Sequence, residues 1–374
     1  MKVIFACAGT GGHINPAIAI AGIILKNKPD TEVLFIGTKT GLENELVKKS
    51  GFEIKHIRTG KLIRSLTFKN IKAVTETYKG ISDSVKIIKE FKPDLVIGTG
   101  GYICGPVMLA AKKCKVPYVL HESNAFPGIS VKLLAKKADK VMVGFSDAKT
   151  RLKRKDNVVY TGTPAKFSRE DINNLDRDRC KKELGFDKIG KKIVLVTGGS
   201  QGAMKFNQIV FDMVVEKLSE EFFVILVAGN KNYDDIIEKK KRVEKDKNIK
   251  LDDYIKIEKF VFDMPKMYKI ADICITRSGA ITITELEIAS KPSILIPLPS
   301  AAENHQYYNA KVLSDAHAGI IIEQKDLTTT LLYNKIIYML DEKIINMMSE
   351  NSSKLVLNGV DNKIYKCISE VIKK

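Results

Sequence analysis

His13 stands at the start of a helical pattern, directly behind the glycine turn Gly9-Thr10-Gly11-Gly12. The partial positive charge of a helix N-terminus opposes a second proton on an imidazole and favours the neutral ring that a general base requires. Taken alone, a histidine in this place more often caps or packs locally. A second turn, Gly198-Gly199-Ser200-Gln201-Gly202-Ala203, adds a hydroxyl and a carboxamide to glycine N–H groups, a combination suited to phosphate oxygens. No Gly-Lys-Ser/Thr follows it, so it is not a P-loop and ATP hydrolysis is disfavoured. Next comes Arg277-Ser278-Gly279-Ala280-Ile281-Thr282-Ile283-Thr284-Glu285, whose small residues keep a turn open. Glu285 falls about two turns into the following helix, where a carboxylate can bind a pair of vicinal hydroxyls. The run Glu303-Asn304-His305-Gln306-Tyr307-Tyr308-Asn309-Ala310 then supplies neutral donors and acceptors of the kind sugar hydroxyls need. Each segment alone would read as a solvated loop or a cap. Collected at the carboxyl ends of parallel strands, where open α/β sheets bind ligands, they describe a site for a sugar-bearing diphosphate.

The elements that would collect them are legible as short apolar runs. Both glycine turns follow β-branched stretches, Lys2-Val3-Ile4-Phe5-Ala6-Cys7 and Lys192-Ile193-Val194-Leu195-Val196-Thr197, as buried parallel strands should read. Further strands are expected at 33–36, 94–97, 117–120 and 140–143, then at 223–227, 255–260, 272–275, 293–296 and 319–322. Helical patterns such as 14–26 and 41–49 alternate with them, which is the signature of βαβ units. The first turn does not complete a dinucleotide fingerprint, because Ile14 occupies the last position of G-x-G-x-x-G. Nor does a ribose-binding acid follow the second strand, where Gly37-Thr38-Lys39 stands instead. NAD binding is thereby disfavoured. The polar stretch 171–192 reads as a linker, which puts the boundary just after Thr163-Pro164, and the last thirty or so residues read as helices.

A chain of 374 residues with 44% apolar content suits two α/β domains. No stretch approaches the roughly 20 apolar residues of a spanning helix, and the N-terminus enters a strand without a signal-peptide pattern, which reads as cytoplasmic. Six scattered cysteines without a C-x-x-C pair argue against disulfides and a zinc site. The net charge of +18 is lopsided, with basic residues exceeding acidic ones by 16 up to Lys166 and by 2 beyond it. Within that basic half, Leu62, Ile63, Leu66, Phe68, Ile71, Val74 and Tyr78 alternate with Lys61, Arg64, Lys69, Lys72 and Lys79 against the single acid Glu76. Such a helix either lies in a membrane interface, where each basic group near an anionic surface contributes on the order of 1 kcal/mol, or packs as an ordinary surface helix. A nucleic-acid binder is the remaining reading of the charge, but there is no tryptophan and no basic-aromatic ladder.

In chain order, Gly9-Thr10-Gly11-Gly12-His13 with Pro16-Ala17, Gly98-Thr99-Gly100-Gly101-Tyr102 with Gly105-Pro106, His121-Glu122-Ser123-Asn124, the Gly198–Ala203 turn, Arg277-Ser278-Gly279-Ala280 with Glu285, and His305-Gln306 with Asn309-Ala310 closely resemble the MurG family of glycosyltransferases. The resemblance spans nearly the whole chain and implies a GT-B architecture of two Rossmann-like parallel-sheet domains facing a cleft. It implies an acceptor- and membrane-facing domain at 1–164 and a nucleotide-sugar domain at 165–374, with the last helix packing back on the first. The implied reaction moves N-acetylglucosamine from UDP-GlcNAc to the C4 hydroxyl of MurNAc in undecaprenyl-diphospho-MurNAc-pentapeptide, with inversion, at the cytoplasmic face of the membrane.

Family roles fall on Ser200 and Gln201 at the diphosphate, and on Val261 as the backbone partner of uracil. Ala280, Ile281, Thr282, Thr284 and Glu285 surround phosphate and ribose, with His305 and Gln306 at the sugar. Thr10, Gly11, Gly12 and Asn124 face donor and acceptor, and His13 becomes the base. The segment bearing Leu62, Ile63, Leu66, Phe68, Lys69 and Lys72 matches the family's membrane-associating face. Three positions depart from the pattern. Lys166 stands where some members carry Arg, and so offers a point charge in place of a fork. Leu226-Val227-Ala228-Gly229 replaces a His-Gln-x-Gly, and His305 replaces a Gln. No cofactor or metal is required, the D-x-D string Asp176-Arg177-Asp178 reading as solvated linker charge, and no nucleic-acid partner is implied. A UDP-GlcNAc epimerase or a glycolipid galactosyltransferase would share the architecture and much of the donor site.

Overall fold

The computed structural model describes residues 1–60, 68–199 and 203–373, leaving out the side chains of 68–72. The chain divides into an N-terminal unit, Met1–Lys166 with Leu357–Lys374, and a C-terminal unit, Phe167–Val356. The division falls after Lys166, and the last eighteen residues belong to the N-terminal unit.

In the N-terminal unit the order is β1 (Lys2–Ala6), α1 (Gly11–Asn27), β2 (Glu32–Gly37), α2 (Glu43–Lys49), β3 (Glu53–His56), α3 (Phe68–Phe91), β4 (Leu95–Gly98), α4 (Cys104–Lys113), β5 (Tyr118–Glu122), α5 (Ile129–Leu134), β6 (Lys140–Val143), α6 (Ser146–Thr150) and β7 (Val158–Tyr160). These strands form one parallel sheet in the order β3-β2-β1-β4-β5-β6-β7, with Phe5 level with Phe35 on one side and Ile97 on the other. Both faces are covered, so β1, β4 and β5 are buried along nearly their whole length and are mostly apolar, β5 ending in the buried polar pair His121 and Glu122. Strands β3 and β7 escaped the sequence reading for the converse reason. They are edge strands: in β3 Glu53 and His56 are exposed, and β7 is only three residues long.

The C-terminal unit runs α7 (Arg169–Asn173), α8 (Arg177–Leu184), β8 (Lys192–Thr197), α9 (Met204–Lys217), β9 (Phe222–Val227), α10 (Tyr233–Lys247), β10 (Ile255–Glu258), α11 (Met264–Ile270), β11 (Ile273–Thr276), α12 (Ala280–Ile288), β12 (Ser293–Leu295), α13 (His305–Asp315), β13 (Gly319–Ile321), α14 (Thr329–Met339) and α15 (Glu342–Lys354). Its parallel sheet has the order β10-β9-β8-β11-β12-β13. One helix, α16 (Val360–Ile372), closes the chain and buries Ile364, Cys367, Ile368 and Val371 in the core that α1 shares with Val3 and Phe5 of β1.

The stretch 171–192 is not a linker. Ser168 and Asp171 form a reciprocal capping box on α7, and Asp176 caps α8 through the Arg179 N–H at 2.7 Å. Arg177 reaches Asp272 at 2.8 Å, and the same Asp272 oxygen accepts the Ile193 N–H of β8 at 2.7 Å. The charges that looked like solvated linker are thus helix caps and an anchor to the sheet.

Candidate active site

In the N-terminal sheet the order reverses between β1 and β4, and the loops after these two strands carry the first glycine turn and Thr99-Gly100-Gly101. Gly9 takes φ +100° and Thr10 is extended at the N-cap, which starts α1 so that His13 lies in its first turn. The His13 Nδ1 is 3.2 Å from the Thr99 carbonyl, and the Thr99 hydroxyl donates to the His13 carbonyl at 2.7 Å. A carbonyl only accepts, so Nδ1 holds the ring proton and Nε2 carries the lone pair. Gly100, at φ +112°, allows this approach, since a Cβ there would fall 2.5 Å from Nδ1. Burial pushes the Cys104 thiol up to about 12, so it stays S–H and donates to the Gly100 carbonyl at 3.0 Å. A buried thiol thus holds the turn that holds the imidazole.

An acid that the sequence reading missed stands behind the same turn. Glu43 is fully buried. One of its oxygens accepts the Thr38 N–H at 2.9 Å and the Thr38 hydroxyl at 2.6 Å, and the other accepts the Gly9 N–H at 3.3 Å. Gly37 and Gly41 make room for it, as a Cβ at either would lie within 2.7 Å of its side chain. A carboxylate does therefore follow β2, but it is engaged with backbone amides rather than offered to a ribose. Its signal was weak because it lies six residues beyond the strand end, at the first position of α2.

At the end of β5, Glu122 accepts the Asn124 backbone N–H at 2.9 Å, the Asn124 carboxamide at 3.0 Å and the Gly128 N–H at 2.8 Å. Burial pushes the Glu122 carboxyl up while these donors pull it back. The preceding His121 is buried and lowered to about 4, with Nε2 3.3 Å from the Gly162 carbonyl, so it is neutral and structural. The motif thereby fixes Asn124, half-buried, at the carboxyl edge of the sheet. Gly11 and Gly12 open α1 beside Thr10, and Lys166 is exposed at the last position before the unit boundary.

In the C-terminal unit the reversal falls between β8 and β11. Gly199, at φ +81°, follows β8; Ser200 and Gln201 lie outside the described residues. After β11, Gly279 is the N-cap of α12 and brings no capping side chain, so the N–H groups of Ala280, Ile281 and Thr282 form a positive helix end suited to an anion. Thr284 is buried within that helix. Further along, Glu285 is half-buried and accepts the Tyr268 hydroxyl at 3.0 Å, which orients its carboxylate. After β12, the Gln306 side-chain oxygen accepts the N–H groups of Ser278 at 3.3 Å and Leu298 at 2.9 Å. With its oxygen so engaged, the NH₂ is the remaining polar group of the Gln306 side chain. Asn309, buried beneath it, donates to the Ser278 carbonyl at 3.1 Å. The His305 Nδ1–H donates to the Ala302 carbonyl at 2.6 Å, and burial lowers the ring, so Nε2 is a neutral acceptor. Val261 is half-buried beyond β10, between Phe260 and the 94%-exposed Phe262, whose rings pack edge to face at 4.8 Å.

Of the expected membrane face, Leu62, Ile63 and Leu66 lie outside the described residues, and for Phe68, Lys69 and Lys72 only the α3 backbone is described. Downstream, Val74 and Tyr78 of α3 are exposed. Helix α3 packs on α4 and α4 on α5, and these add exposed Leu109, Ile129 and Leu133 beside Lys112, Lys113, Lys136 and Lys137. Among the described residues, no helix is long and apolar enough to cross a membrane.

Comparison with known proteins places these features. Residues 3–143 match the glycosyltransferase family 28 N-terminal domain and residues 193–362 the family 28 C-terminal domain. Curated relatives from Acetivibrio thermocellus and Caldanaerobacter subterraneus are 40% and 41% identical. They align over 100% and 99% of this chain and 99% and 100% of their own. Each is named UDP-N-acetylglucosamine–N-acetylmuramyl-(pentapeptide) pyrophosphoryl-undecaprenol N-acetylglucosamine transferase. The crystal structure of Acinetobacter baumannii MurG superposes with a TM-score of 0.78 at 25% identity, covering 99% of both chains. With two Rossmann-like units, both family domains and full-length relatives of this kind, the chain belongs to the MurG enzymes of glycosyltransferase family 28.

Proposed function

We propose that this enzyme transfers N-acetylglucosamine from UDP-N-acetylglucosamine to the C4 hydroxyl of the MurNAc residue in an undecaprenyl-diphosphate-linked MurNAc-pentapeptide. The names of the full-length relatives support donor and acceptor alike. The observation that carries the mechanism is the His13 imidazole, its Nδ1 proton committed to the Thr99 carbonyl. Nε2 takes the proton of the C4 hydroxyl while that oxygen attacks the anomeric carbon. Attack comes from the face opposite UDP, and the bond from that carbon to the diphosphate oxygen breaks with both electrons leaving on UDP, so the configuration inverts. Charge develops on the departing diphosphate, where the N-terminus of α12 supplies preorganised N–H groups. Glu285 takes the ribose hydroxyls, Gln306 and His305 the sugar, and Val261 the base. The scheme needs no metal, and transfer is expected to persist with a chelator present.

The exposed apolar residues of α3, α4 and α5, set among lysines on the half of the chain that carries most of the net charge, support peripheral attachment to an anionic membrane. Attachment at the cytoplasmic face would bring the lipid-borne acceptor to the enzyme. The test is incubation with labelled UDP-GlcNAc and the lipid acceptor, with UDP release followed alongside. Disaccharide-lipid formed in step with UDP supports the reading. UDP-GlcNAc hydrolysis or epimerisation without disaccharide-lipid overturns it.

A further inference from the structure

Arg277 is buried, yet among the described residues its guanidinium meets neutral groups. One terminal nitrogen donates to the carbonyls of Ile296 and Pro297, just past β12, at 3.1 and 3.3 Å. The other donates to the side-chain oxygen of Gln324, past β13, at 2.6 Å. The guanidinium carbon lies 5.4 Å from the Phe206 ring centroid, and Nε is buried without a hydrogen-bond partner among the described residues. Removing a cation from water without a carboxylate beside it is costly, and burial alone lowers its pKa. What this geometry accomplishes is mechanical. One rigid fork, rooted after β11, grips the segments that leave β12 and β13.

The segment held by the fork is the one that aims Gln306. Ser278, next to Arg277, and Leu298, next to Pro297, supply the two N–H groups that share the Gln306 oxygen. Their separation sets where the Gln306 NH₂ points. We infer that Arg277 is the positioning residue of the sugar subsite, holding the β11 and β12 loops at the spacing that presents Gln306 to the donor's sugar and so separating UDP-GlcNAc from UDP. This rests on the reading of Gln306 as a sugar contact. Lysine cannot substitute, because one ammonium on a flexible stem does not hold both loops in a fixed plane.

The experiment is titration of the full-length enzyme with UDP and with UDP-GlcNAc, for wild type, Arg277→Lys and Gln324→Ala. UDP affinity is expected to stay within about twofold, while UDP-GlcNAc weakens about tenfold in Arg277→Lys and about threefold in Gln324→Ala, as loss of one or two oriented hydrogen bonds requires. Gln324 is half-buried in a loop, so its variant keeps the question open to measurement if the arginine variant does not fold. Parallel weakening of both ligands, or unchanged affinity for both, overturns the inference. Failure of the functional reading shows separately, as absence of transfer by the wild-type enzyme.

Discussion

A side chain added at position 100 would meet the His13 ring within 2.5 Å at a φ that disfavours any residue but glycine. Gly100→Ala should therefore cost about 1–3 kcal/mol of stability and displace the imidazole. Turnover should fall more than UDP-GlcNAc affinity, which steady-state kinetics and direct titration separate. His13→Ala is expected to lower kcat about a hundredfold or more while leaving donor affinity unchanged; turnover within severalfold of wild type would remove His13 from the role of base. Glu43→Gln places an NH₂ against a backbone N–H of Gly9 or Thr38, leaves a buried donor unmatched, and should cost about 1–3 kcal/mol in chemical denaturation. His13, Glu285 and Gln306 were singled out in the sequence because glycine turns and strand ends flagged their neighbourhoods. Glu43 was not, since nothing local distinguishes it from any acid opening a surface helix.

At the scale of elements, α12 carries two acids with different duties. Glu285 accepts the Tyr268 hydroxyl, whereas Glu287, two residues on, is buried and raised to about 8 by desolvation. Its folded state thus keeps a proton that the unfolded chain loses above its ordinary value of 4.5. The stability this confers is full below that value and is lost as pH rises toward about 8. Glu287→Gln should abolish the loss, so that its advantage in Tm over wild type grows from acid to mildly alkaline pH and amounts to a few kcal/mol at about 1.4 kcal/mol per pH unit. An advantage that is flat with pH would contradict the assignment. The last helix makes the complementary point about packing. Ile368 of α16 is fully buried in the N-terminal core, and Ile368→Ala should cost about 2–5 kcal/mol, measured by denaturant unfolding.

For the whole molecule, charge and exposed apolar surface act together. Vesicles rich in anionic lipid should bind the enzyme, added salt should release it, and Leu133→Glu with Tyr78→Glu should weaken binding without altering transfer to a water-soluble acceptor. Equal binding to neutral vesicles would remove the electrostatic part of the proposal. Two parallel sheets, their glycine turns and the types of residue at their carboxyl ends were determined by sequence alone, because strands covered on both faces must be apolar throughout and tight turns near an anion must be glycine. Tertiary structure decided that 171–192 folds onto the C-terminal unit, and that Glu43 and Arg277 hold the turns. Those contacts join residues 34 and 47 positions apart, as from Glu43 to Gly9 and from Arg277 to Gln324, and pairing at such separation is settled by the path of the folded chain, which leaves no local periodicity to read.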